Sequence, residues 1–260
     1  MKQTEELPSR LFSCLKELHL PTIRECYSEQ ADVARRESQS YEQYLFDLME
    51  LERETRRHNR IDRFLRESQL PLEKSLDSFD RKRLPSRIES QVSVLLEGSF
   101  LDRTENVLAF GNPGSGKTHL LCALGQELIH QDHRVLFQSC GLLVQKLLAA
   151  KRDLKLQNFL KRLSKYDAVI IDDIGYVQQS REEMEVLFTL LAYRYERGSV
   201  MITSNLPFSE WERIFKDPMT TAAAIDRLVH HSIILELNLS SYRLEQSRNT
   251  NKDVNEGGNK

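Results

Sequence analysis

No run of eighteen consecutive apolar residues occurs anywhere in the chain, so no segment reads as a membrane-spanning helix and no membrane partner is expected. The opening MKQTEELPSR has no apolar stretch of the kind a secretory leader needs, which makes a cytoplasmic protein the expectation. Cysteine is scarce: Cys14, Cys26, Cys122 and Cys140 are widely spaced and form no C-x-x-C pair, which argues against zinc and against a disulfide framework. Each is expected to be a small buried or half-buried apolar residue. Charge of one sign is also lacking. A net charge of −2 excludes a uniformly basic nucleic-acid coat, though not a local one. With 40% hydrophobic and 29% charged residues, the 260-residue chain reads as an ordinary soluble protein, long enough for a small domain plus a moderate one.

Against that background one stretch is chemically explicit. Gly111 to Thr118, GNPGSGKT, fits G-x-x-x-x-G-K-[ST], a loop that wraps backbone N–H groups around phosphates. Gly111, Gly114 and Gly116 supply the freedom that close backbone approach needs, with Asn112, Pro113 and Ser115 between them. Lys117 is expected between the β- and γ-phosphates of ATP and the Thr118 hydroxyl on Mg²⁺, with His119 following at the start of the helix. NVLAF before the loop reads as a buried strand, and KTHLLCALGQELI after it as a helix. About fifty-five residues on, YDAVIIDDIGY is an apolar strand ending in two acids. Asp172 is placed to hold Mg²⁺, and Asp173 to orient or deprotonate an attacking water. The next strand, VMITSN, ends at Asn205, which either contacts the γ-phosphate and water, if this strand lies between the other two, or is a turn residue ahead of Pro207.

From Leu11 to Leu70 the pattern is helical, with almost no glycine or proline, and reads as a separate N-terminal domain over 1–70 for contacts with DNA, a partner or other copies. Arg53, Arg56, Arg60 and Arg63, with Arg57 beside them, recur at three-and-four spacing and share one helix face. That face is either solvated and paired with Glu54, Asp62 and Glu67, or a surface for the phosphates of duplex DNA, largely indifferent to sequence. Residues 71–87, with two prolines and a further basic cluster, read as a linker. Over 88–246 helix-like and strand-like segments alternate, which implies a mostly parallel sheet covered by helices on both faces; 247–260 reads as a disordered tail. Arg227, in AAAIDRLVHHS, either pairs with Asp226 or Glu236 or points at a nucleotide held by a neighbouring subunit. His230 and His231 are adjacent on a probable helix, where side chains diverge, and no metal is assigned to them.

Taken in order, GNPGSGKTHLLCALG, AVIIDDIGY, SVMITSNLPFSEW, AAAIDRLVHHS and SYR resemble the IstB-like helper ATPases of two-gene bacterial insertion sequences, AAA+ proteins of the initiator and helicase-loader clade similar to DnaC. The resemblance covers about Leu11 to Glu245. It implies an α/β P-loop NTPase (AAA+) fold with a five-stranded parallel sheet flanked by helices, behind a small all-helical domain. It further implies ATP hydrolysis used as a switch, an ATP- and DNA-dependent homo-oligomer, and stimulation of a partner transposase. On the same basis Asn205 is the sensor after the fourth strand, Arg227 the candidate arginine finger and Arg243 a second phosphate-sensing arginine. The family pattern more often has Glu where Asp173 stands, and slow hydrolysis is the expectation from the shorter side chain. A DnaC-like helicase loader shares the same motifs. A small-molecule kinase would need an acceptor pocket and a lid, and no second substrate domain is visible after IILEL.

Overall fold

The chain has no glycine before Gly98, and its first third forms three helices: α1 (Lys2–Glu17), α2 (Pro21–Glu37) and α3 (Tyr41–Ser68). The breaks fall where backbone geometry permits them. His19 and Ser38 take positive φ, and Pro21 opens α2 at a position where its missing N–H costs nothing. The computed structural model describes residues 2–175, 180–215 and 217–242, with side chains from Leu7 onward except Arg213; Arg243 and the expected tail at 247–260 lie outside the described residues.

Two compact units result, residues 1–63 and residues from 64 onward. The N-terminal unit has a small core of Leu15, Ile23 and Leu48, with Leu20, Cys26, Tyr27 and Tyr44 packed against it. On α3 the apolar Tyr41, Leu45 and Met49 are exposed. Within the same unit the buried Glu52 of α3 accepts a hydrogen bond from the Ile23 N–H (3.1 Å), so that α3 caps the first turn of α2. Arg56 donates to the same carboxylate at 2.8 Å and also to the His19 carbonyl. Burial pushes the Glu52 carboxyl up, but the Ile23 N–H and the Arg56 guanidinium outweigh it and hold the group below its ordinary value.

The second unit begins within α3, earlier than a boundary at residue 70 and a linker over 71–87 would have it. Phe64, Leu70 and Leu84 are buried, and Arg134 lies over the Phe64 ring and pairs with Glu67 at 2.8 Å. After α4 (Ser86–Leu96) and α5 (Ser99–Asp102) comes a single parallel sheet of β1 (Asn106–Phe110), β2 (Val135–Ser139), β3 (Ala168–Asp172), β4 (Ser199–Ser204) and β5 (Ser232–Glu236), in the order β2-β3-β4-β1-β5. The central strands are nearly continuous apolar runs because helices cover both faces. Those helices are α6 (Lys117–His130), α7 (Cys140–Arg152), α8 (Leu156–Leu163), α9 (Arg181–Arg194), α10 (Glu212–Phe215) and α11 (Pro218–Val229).

Local chemistry sets the starts of the last long helices. Ser180 and Glu183 form a reciprocal capping box on α9, and Asp217 caps α11 through the Thr220 N–H at 2.6 Å. At the end of α9, Arg194 is 2% exposed and donates to the carbonyls of Leu163, Tyr166, Asp167 and Ser199 at 2.9–3.1 Å. It thereby ties the approach to β3 to the start of β4. Burial pulls its pKa down to about 10. The four cysteines are free; Cys122 and Cys140 are buried as expected, but Cys14 is exposed. No helix among the described residues is long and apolar enough to cross a membrane.

Glu52→Ala leaves the Ile23 N–H without its acceptor and is expected to destabilise the N-terminal helices by about 1–3 kcal/mol at neutral pH. Because the folded-state pKa lies below the unfolded one, this contribution is full above the ordinary carboxylate value and is lost as pH falls through the folded value. The gap between thermal melts of wild type and variant should therefore narrow as pH falls below the ordinary carboxylate value; a gap that does not narrow on acidification contradicts the assignment.

Candidate nucleotide site

The loop between β1 and α6 is shaped by what lies against it. Gly114 has φ +81°, and a Cβ there would collide with the Ser241 hydroxyl; a Cβ on Gly111 would collide with the Leu237 carbonyl oxygen. Lys117 is buried, and its ammonium donates to the carbonyls of Gly111 (2.8 Å) and Asn112 (2.9 Å), folded back over the loop. The N-terminus of α6, with its unsatisfied N–H groups, opens at the same place. Ser115 Oγ is buried with no hydrogen-bond partner among the described residues.

β4 lies between β1 and β3, the condition under which Asn205 reaches the same site. Asp172, the last residue of β3, accepts on Oδ1 from Thr118 Oγ1 and from Thr203 Oγ1, each at 2.7 Å. Asp173 then leaves the strand with φ +58°, its N–H bonded to Thr203 Oγ1 at 2.8 Å. The turn after β4 is fixed by Ser204, whose hydroxyl donates to the Leu206 carbonyl (2.8 Å), and by the fully buried Trp211, whose indole N–H donates to the same oxygen (3.2 Å). Between them Asn205 presents a buried Oδ1 with no partner among the described residues.

A cavity of about 380 Å³, within the range of small-molecule sites, opens beside the loop between β1 and α6. Lys117, Thr118, His119, Asp173 and Asn205 all face it. Part of its wall comes from the segment read as a linker. Phe79 packs edge-on against His119 at 5.2 Å, and the His119 ring nitrogen Nε2 lies 3.1 Å from Ser78 Oγ and 3.0 Å from the Ser75 carbonyl. Leu239 and Tyr242 also line it; the Tyr242 N–H donates to the Gly114 carbonyl at 3.0 Å, and Arg83 lies over the Tyr242 ring at 5.2 Å. Lone aromatics in polar segments were the only sequence signal for Phe79 and Tyr242. The orphaned Ser115 and Asn205 oxygens, the folded-back Lys117 and the Thr118–Asp172 pair fit a Mg²⁺–nucleotide, whose phosphates and metal would take up their free valences.

Residues 13–250 match the family model described as IstB-like ATP binding protein. The chain belongs to that family. A Sinorhizobium fredii protein described as an insertion sequence ATP-binding protein is 45% identical over 236 residues, 90% of this chain and 79% of that one. An IS21 ATP-binding protein of Pseudomonas aeruginosa is 38% identical over 238 residues, 92% of this chain and 89% of that one. Among solved structures, the DnaC helicase loader superposes with TM-score 0.53 at 20% identity over 63% of this chain and 96% of that chain. AMPPCP-bound DnaA from Aquifex aeolicus gives 0.53 at 20% over 66% and 52%. The fold is therefore the AAA+ P-loop fold, and this IstB-like chain is an ATPase that binds ATP.

Other expected site residues lie elsewhere. Arg227 is not among the residues lining the cavity; its guanidinium stacks over Phe188 at 4.8 Å and donates to the Ala223 carbonyl at 3.2 Å, rather than pairing with Asp226 or Glu236. On α3 the acids that pair with Arg53 and Arg56 are neither Glu54, Asp62 nor Glu67. Arg53 pairs with Glu50 at 2.5 Å and Arg56 with Glu52, while Asp62 lies by His58 and Glu67 by Arg134. Arg57, Arg60 and Arg63 are exposed on the same helix. A second basic stretch went unread in the sequence: Lys151, Arg152, Lys155, Lys161, Arg162 and Lys165 on and around α7 and α8, against the one acid Asp153. α11 ends before His230, so His230 and His231 do not diverge as on a helix. Their rings are 4.2 Å apart, and with Glu196 they bring three ligand atoms within 4.8 Å, all exposed. No metal role follows from exposed side chains alone.

Proposed function

We propose that this IstB-like ATPase is a switch: with ATP bound it assembles as a homo-oligomer on duplex DNA and stimulates a partner transposase of its insertion sequence, and hydrolysis ends that state. The observation that carries the reading is the position of Arg227. The cavity is lined by the phosphate loop, Lys117, Thr118, Asp173 and Asn205, yet Arg227, the arginine expected to neutralise charge on the transferred phosphoryl, is not in its lining. A half-buried position on α11, away from its own cavity, suits an arginine that acts on the nucleotide of a neighbouring copy. Relatives described as insertion sequence ATP-binding proteins support the transposition setting.

In the proposed reaction Lys117 leaves the Gly111 and Asn112 carbonyls for the β- and γ-phosphate oxygens. Thr118 and Asp172 would hold Mg²⁺, which when bound neutralises charge on the phosphates. Asn205 orients the attacking water and Asp173 accepts its proton as the oxygen bonds to the γ-phosphorus and ADP leaves. DNA contact is assigned to the exposed arginine face of α3 that carries Arg53, Arg56, Arg57, Arg60 and Arg63. The basic stretch around α8 is a second surface of the same character.

Lys117→Ala is expected to abolish ATP binding, whereas Asp173→Asn should bind nearly as wild type and hydrolyse on the order of 100-fold more slowly. Equilibrium binding of a fluorescent ATP analogue and phosphate release read the two separately, and normal turnover in either variant contradicts the assignment.

If α3 contacts phosphates, affinity for duplex DNA falls steeply with salt and is nearly indifferent to sequence. Each of Arg57, Arg60 and Arg63 changed to Ala should shallow the log–log salt slope by about 0.9. Omitting Arg56 keeps the capping of α2 intact. An unchanged slope and affinity in the triple variant returns this face to simple solvation.

A further inference from the structure

Thr203 is fully buried near the end of β4, where a hydroxyl is unfavourable unless both its proton and its lone pair are used. Both are. The Asp173 N–H donates to Thr203 Oγ1 at 2.8 Å, and Thr203 Oγ1 donates to Asp172 Oδ1 at 2.7 Å. One residue further, the Ile174 N–H donates to the Thr203 carbonyl at 3.1 Å. Three successive residues at the end of β3 are thus bound to a single residue of β4.

The consequence lies in Asp173. Its φ of +58° is a conformation that non-glycine residues seldom adopt, and it turns the carboxylate out of the strand so that the residue lines the cavity. The two bonds to Thr203, one on either side of that turn, hold it there. Thr203 also shares Asp172 Oδ1 with Thr118. Two residues beyond Thr203 on the same segment stands Asn205, with its unpartnered oxygen in the cavity wall.

We infer that Thr203 is the positioning residue of the hydrolytic site: its hydroxyl holds both acids in working geometry and links them to the segment bearing Asn205. A phosphate-dependent shift of Asn205 is thereby transmitted to the two carboxylates through one side chain. This rests on the roles given above to Asp172 and Asp173.

The test is a cycle of T203V, T203S, D173N and T203V/D173N, each read by fluorescent-ATP affinity, by single-turnover hydrolysis with Mg²⁺ and duplex DNA, and by melting. T203V should bind ATP within about 3-fold of wild type but hydrolyse it roughly 10- to 100-fold more slowly, while T203S, which keeps the hydroxyl, returns to within about 3-fold. In the D173N background T203V should cost less than it does in wild type, since part of its effect passes through Asp173. Normal hydrolysis by T203V overturns the inference. So does T203S being as slow as T203V, which would make the methyl group the important part, and so does full additivity with D173N. Should T203V lose its cooperative melt, T203C keeps the volume with only a weak donor and takes its place in the cycle. A wild-type rate for D173N would instead overturn the role of Asp173, and T203V against T203S then still reads the bond to Asp172.

Discussion

Asp172 Oδ1 receives two hydroxyls, one from the helix that follows the phosphate loop and one from the strand that lies between that loop and the acid. The rest of the nucleotide site depends on this meeting point. It requires β4 to separate β1 from β3, because only then do the ends of three neighbouring strands bring a glycine loop, a carboxylate pair and a polar sensor to one edge of the sheet. Half-buried carboxylate oxygens are tolerated when donors satisfy them, and here each donor also borders the proposed reaction. Thr118 sits beside the phosphates, and Thr203 beside the acid expected to activate water.

The opposite edge of the sheet is held differently. Arg194 places a buried cation among four carbonyls, with no carboxylate partner among the described residues, and joins the approach to β3 to the start of β4. The two central strands are therefore tied at both ends, by a guanidinium below and by hydroxyl–carboxylate bonds above. Such bracing suits a sheet whose upper edge must keep its geometry while nucleotide is exchanged.

Much of this was legible in the sequence, and the reasons for the exceptions are physical. The glycine loop, the strand ending at Asp172 and the alternation of elements are local patterns, so motif and periodicity locate them. Asn205 was conditional on strand order, which periodicity cannot supply and the sheet does. Phe79, Tyr242 and Thr203 were invisible because their roles come from packing between segments far apart in the chain. The segment around Phe79 has the composition of a linker, yet Gln126 and His119 bind its carbonyls and seat it on the second unit. On α3 the arginine spacing was plain, but the partner of Arg56 is Glu52, an acid one turn earlier whose second oxygen caps another helix.

The central claim is that one chain holds only part of a working site, and that DNA brings copies together to complete it. Lys117→Ala keeps the Arg227 surface but lacks the grip on phosphate; Arg227→Ala keeps the grip but lacks the outer charge, an arginine worth about 10³ to 10⁵ in rate where it acts as a finger. The decisive measurement is ATP turnover on duplex DNA as these two inactive proteins are mixed in varying ratio. The account predicts partial recovery at intermediate ratios, from copies whose intact cavity meets an intact neighbouring arginine. No recovery at any ratio, in mixtures shown to co-assemble on the DNA, would contradict it.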